Sequence, residues 1–146
     1  MDNLKFTGKL NVVLRDKDGI VKQQFTCPNL VVTTGLNYIV NRIKDASVTA
    51  VSHMAIGSDA TVASAGQTAL VTESARVAFD SATVTGAGIT FVATYAAGTG
   101  TGDVNEAGIF NAGAAGTMLA RTLFAATIAK GASDSLEVTW TITAAG

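Results

Sequence analysis

Leu136-Glu137-Val138-Thr139-Trp140-Thr141-Ile142-Thr143 is the stretch that decides the fold. Leu136, Val138, Trp140 and Ile142 alternate with Glu137, Thr139, Thr141 and Thr143, the period of two of a strand with one buried and one wet face. The other end of the chain repeats the pattern. Leu4, Phe6, Gly8, Leu10, Val12 and Leu14 alternate with Lys5, Thr7, Lys9, Asn11, Val13 and Arg15. Between the two ends, Ile89, Phe91, Ala93 and Tyr95 alternate with Thr90, Val92 and Thr94. Thr fills the wet positions because it has good strand propensity and offers water a hydroxyl without a charge.

Turn chemistry separates these runs. Asp16-Lys17-Asp18-Gly19 predicts a hairpin turn with Gly19 at positive φ, and Ile20 to Thr26 returns as the second strand, ended by Cys27-Pro28-Asn29. His53 to Gly57 reads as a short strand, residues 58–69 as a loop, Leu70 to Asp80 as a strand, and Thr85-Gly86-Ala87-Gly88 as a turn. Gly98 to Gly102 is a loop, Glu106 to Asn111 a short strand, and Met118 to Ile128 a longer one. A single helix is predicted near residues 35–45. Leu36, Ile39, Val40 and Ile43 would form its buried face, with Thr33 or Thr34 as cap. Eight or nine strands at hairpin spacing, without alternating helices, predict an all-β protein: an antiparallel β-sandwich, jelly-roll-like, with one short helix. The 146 residues suit a single domain, in which residues 1–45 form an N-terminal hairpin plus helix and residues 46–146 the sandwich core.

Composition narrows the function. Charged residues are 14% of the chain, against about 25% in ordinary soluble domains. Ala, Thr, Val and Gly make up about half of it. The net charge of −1 gives a nucleic acid little to hold, because counterion release needs a basic surface. No apolar run is long enough to predict a membrane helix, and MDNLKFTGK lacks the pattern of a secretory signal. One Cys and one His leave little material for disulfides, metal sites or acid–base chemistry. The expectation is a chain made in a reducing cytoplasm, with no enzymatic activity, no cofactor, no metal, no nucleic acid and no membrane among its partners.

The charge is also uneven. Residues 1–45 carry +3 and residues 46–146 carry −4. Lys5, Lys9, Arg15, Arg42 and Lys44 in the basic segment are therefore the candidate interface residues. Other constellations read more simply as structure. Gly98-Thr99-Gly100-Thr101-Gly102-Asp103 lacks the Lys of a phosphate loop and is followed by a strand. Asp16-x-Asp18-Gly19 opens like a calcium loop, but Cys27 stands where the bidentate Glu belongs. Asp103, Glu106 and Asp134 have no spacing that gathers them on a cation. Cys27 and His53 lack a third orienting group. Glu73 with Arg76, and Glu106 with Arg121, are charges set in apolar strands; each predicts either a solvent-facing position or pairing across strands, within the fold or across a subunit contact.

Glu106-Ala107-Gly108-Ile109-Phe110-Asn111, Met118-Leu119-Ala120-Arg121-Thr122-Leu123-Phe124, Lys130-Gly131 and Leu136 to Ile142 together resemble a β-sandwich module of tailed bacteriophages. Ile56-Gly57-Ser58, Ala69-Leu70, Glu73 and Arg76-Val77 fit the same pattern, so the resemblance spans roughly residues 54 to 143. A free-standing module of this size looks like a capsid cement, or decoration, protein. The resemblance implies a jelly-roll-like sandwich without enzymatic activity. It implies binding to the outer surface of the assembled shell, bridging neighbouring copies of the major capsid protein. It implies a virion location on the capsid exterior after assembly in the host cytoplasm. Self-association, with a dimer favoured, is the accompanying expectation. The alternative is a tail-fibre or tail-tip receptor-binding module, which would carry aromatic side chains on exposed loops.

Overall fold

The computed structural model describes residues 4–44 and 47–146. Residues 1–3 of the predicted hairpin region and residue 45 of the predicted helix lie outside the described residues. The elements follow in chain order as β1 (Lys5–Arg15), β2 (Val21–Pro28), β3 (Leu30–Val31), α1 (Thr33–Lys44), β4 (His53–Gly57), β5 (Glu73–Ala78), β6 (Ser81–Thr85), β7 (Gly88–Tyr95), β8 (Gly102–Phe110), β9 (Met118–Lys130) and β10 (Ser135–Ala145). They build two five-stranded antiparallel sheets, ordered β2-β1-β10-β7-β6 and β3-β9-β8-β4-β5. The protein is an all-β sandwich with one short helix.

The two stretches with the cleanest alternation are neighbours. β1 and β10 pair from Lys5 opposite Ala145 to Arg15 opposite Ser135. Their apolar sets point the same way, so Leu10, Val12 and Leu14 join Val138, Trp140 and Ile142 in one core. The second sheet closes that core with Met54, Ile56, Val104, Ala107, Ile109 and Ile128. Each of the Val, Leu, Ile and Met side chains among them contributes about 1.5–3 kcal/mol by leaving water. Tyr95 is fully buried but keeps its hydroxyl paired, donating to the Met54 carbonyl at 2.6 Å. That bond crosses from one sheet to the other and ties the layers together.

The hairpin turn forms as predicted. Gly19 has φ +82°, and Asp16 Oδ1 accepts from the N–H groups of Asp18 and Ile20. Ten strands form among the described residues where eight or nine are predicted, because the sequence pattern does not mark β3 and one predicted strand divides; four readings of individual elements are also corrected. The predicted strand from Leu70 to Asp80 is two strands in different sheets: β5 ends at Ala78 and β6 starts at Ser81. The change of sheet is secured by Phe79 N–H on the Ser52 carbonyl and Asp80 N–H on the Val92 carbonyl. β8 begins at Gly102 rather than Glu106, because residues 102–104 pair with 128–130 despite their glycine-rich start.

The other two corrections concern α1. Its buried residues are Gly35 and Tyr38, with Ile39 packed against the core, while Leu36, Val40 and Ile43 are exposed. Gly35 is the cause: a Cβ there would meet the Leu119 carbonyl, so only glycine lets the helix backbone settle on β9. Tyr38 then reaches the Thr49 carbonyl at 2.7 Å. Neither Thr33 nor Thr34 caps the helix through its side chain. The Val32 carbonyl accepts the first helical N–H, from Leu36, and the Thr34 hydroxyl donates to the Met118 carbonyl on β9.

Candidate functional site

Two arginines brace the loops that cover the outer face of the second sheet. Glu106 on β8 and Arg121 on β9 are fully buried and 2.7 Å apart. Glu106 also accepts the N–H groups of Val71 and Thr72, at 3.0 and 2.8 Å. Arg121 donates to the Thr61 carbonyl and to Gln67 Oε1. The pair therefore pins both ends of the 58–72 loop over a small apolar cluster of Val32, Ala55, Leu70, Phe110 and Met118. Gly57 lies beneath it, and a Cβ there would meet Thr72 O and Glu106 Oε1.

Arg76 on β5 works the same way on the 111–117 loop. It grips Glu73 through two hydrogen bonds, at 2.7 and 3.1 Å, and donates Nη1 to the carbonyls of Ala112 and Ala115. Its guanidinium lies 3.8 Å over the Phe110 ring. Among the described residues, Ala115 is the one non-glycine at positive φ, +51°, a conformation this clamp helps hold. Both predicted pairs thus form within the chain.

The remaining candidates disperse. Cys27 is buried on β2, where desolvation pushes its thiol pKa up; its Sγ stands 3.7 Å from Thr122 Oγ1. His53 begins β4 in the other sheet and contacts Ser52 Oγ at 2.7 Å. Asp134 pairs with Lys22 at 2.8 Å and accepts the Gly131 N–H; the Lys22 bond, first, and the Gly131 bond hold its carboxyl below the ordinary range. Among the described residues, no three His, Cys, Asp or Glu side chains gather as metal ligands.

The predicted interface residues fall into two groups. Lys5, Lys9 and Arg15 alternate with the core positions of β1, on the outer face of the first sheet. Thr139, Thr141 and Thr143 of β10 and Thr90 and Thr94 of β7 stand on that same face. Arg42 and Lys44 lie in the last turn of α1, against the second sheet, where Arg42 donates to the Val48 carbonyl. The sequence reading missed the apolar surface beside the second group. The exposed Leu36, Val40 and Ile43 run along α1, and Val40 and Ile43 are 67% and 77% accessible. Near the same end of the sandwich a cavity of about 340 Å³ opens, lined by Phe6, Ile39, Val51, Val84, Ile89, Leu119 and Ile142. The helical periodicity flagged the row, but not that it faces outward; that depends on Gly35 meeting β9.

Compared with protein-family models, with curated proteins and with solved structures, the chain matches none.

Proposed function

We propose that this chain is a structural virion protein that binds the outer surface of a phage capsid and bridges neighbouring major capsid proteins. The observation that carries the reading is the row Leu36, Val40 and Ile43, exposed on a helix that ends in Arg42 and Lys44. A single apolar row flanked by cations suits a shell protein with an apolar groove and an acidic rim. Bridging needs two separated contacts, and Lys5 and Lys9 on the outer face of the first sheet supply the second. Each contact can be modest, because a lattice of copies supplies avidity. Glu106, Arg121, Arg76 and Asp134 are engaged in bracing loops, which fits a scaffold whose work is to hold its shape under load.

The test is occupancy on purified shells. Val40→Asp with Ile43→Asp, and separately Lys5→Glu with Lys9→Glu, should each lower occupancy by about tenfold, as expected for the loss of about 1.4 kcal/mol of contact. Unchanged occupancy for both would overturn the reading. A copy number of a few to a few dozen per virion, rather than hundreds, would favour the tail-module alternative.

A further inference from the structure

Every open sheet presents two edges, and this sandwich treats its four differently. β2 carries Lys22 and Pro28 and faces a register shift between Leu14 and Arg15. β3 is two residues long. β5 carries Glu73 and Arg76 and meets a register shift between Ile56 and Gly57. These are the devices that keep a strand edge from recruiting another strand. β6, Ser81-Ala82-Thr83-Val84-Thr85, has none of them. It contains no charge and no proline, pairs with β7 in unbroken register, and is exposed throughout.

The register decides what this edge offers. Thr85 and Gly88 close a two-residue turn in which Gly86 has φ +59°, so Thr85, Thr83 and Ser81 bond to β7. The parity is confirmed on the far side of β7, where the Ala87 carbonyl accepts from Ala144 on the β10 side. Ala82 and Val84 therefore direct their N–H and C=O groups outward. They stand two residues apart, symmetric about Thr83. A second antiparallel copy set opposite Thr83 would place Ala82 against Val84 and Val84 against Ala82, making both pairs hydrogen-bonded. Any other centre leaves part of this set unmatched. No like charges meet: the nearest, Asp80, would lie opposite Gly86 of the copy, and its carboxylate already accepts the Thr94 hydroxyl at 2.6 Å.

We propose that two copies of this chain pair edge to edge through β6, antiparallel about a two-fold axis at Thr83, joining their first sheets into one. The pairing would also cover Val84, which is 71% accessible on the rim of the apolar cavity, with the copy's Ala82. This inference concerns self-association alone and stands or falls independently of capsid binding.

Sedimentation of the full chain at about 100 μM, well above a micromolar dissociation constant, should give a dimer. Val84→Lys should give a monomer with an unchanged circular-dichroism spectrum. Val62→Lys, on the exposed 58–72 loop, should leave the dimer intact. Thr83→Cys reads the register directly. Directly opposite Cβ atoms are about 4.5–5.5 Å apart, close to disulfide geometry. Mild oxidation should link Thr83→Cys dimers several-fold faster than Ser81→Cys dimers, whose thiols would be about 13 Å apart. A monomeric wild-type chain would overturn the proposal. So would a dimer indifferent to Val84→Lys, or equal cross-linking at 81 and 83.

Discussion

At the scale of residues, Glu106 with Arg121 and Glu73 with Arg76 tie loops to the second sheet. Charges inside apolar strands need either water or a partner, which marked Glu106, Arg121, Glu73 and Arg76 in the sequence as candidates for pairing. What each pair holds was not legible, because the 58–72 and 111–117 loops reach them only through folding. Glu106→Leu alone should destabilise the protein by about 3–5 kcal/mol, since it leaves Arg121 buried without its counter-charge. Glu106→Leu with Arg121→Met should cost clearly less; urea denaturation of the three variants and the parent measures both. Cys27 makes a second case. Its thiol is buried and its pKa raised, so labelling by a thiol reagent at pH 8 should be at least about a hundredfold slower in the folded than in the urea-unfolded chain.

At the scale of elements, α1 illustrates how one glycine redirects a helix. Periodicity located the helix and its apolar row, yet the row faces solvent because Gly35 presses on Leu119. Gly35→Ala should therefore destabilise the protein by about 1–3 kcal/mol, although alanine is the better helix former. Val40→Asp should change stability by less than about 0.5 kcal/mol, because that side chain is mostly exposed. Thermal unfolding of both variants separates the buried face from the exposed one. Strand reading succeeded where one face was buried and failed at β5–β6. There the chain keeps an extended conformation across a change of sheet, and local pattern carries no mark of which partner it will find.

At the scale of the whole molecule, the two ends of the chain are held together by the β1–β10 ladder, and the β9–β10 turn is held by Asp134. The folded pKa of Asp134 lies below its unfolded value of about 3.9, chiefly through the Lys22 hydrogen bond. The stabilisation it contributes is thus fully present above about pH 4 and lost as pH falls through the folded value. Asp134→Asn should lower the melting temperature at pH 7 and leave a shallower decline of stability below pH 4 than the parent shows. Calorimetry across that pH range decides it.

The class of fold is legible in local pattern alone. Alternation in the β1, β7 and β10 stretches demands strands with one dry face, and hairpin spacing without alternating helices makes them a sandwich. Local pattern also marks Glu106 and Arg121 as charges that need either water or a partner, and burial of both leaves pairing as the outcome. Long-range packing settles which loops those charges hold, which face of α1 is left uncovered, and that the β6 edge is unguarded. Each of these depends on contacts between residues far apart in the chain. A periodic pattern records which side chains avoid water, not which neighbour will exclude it.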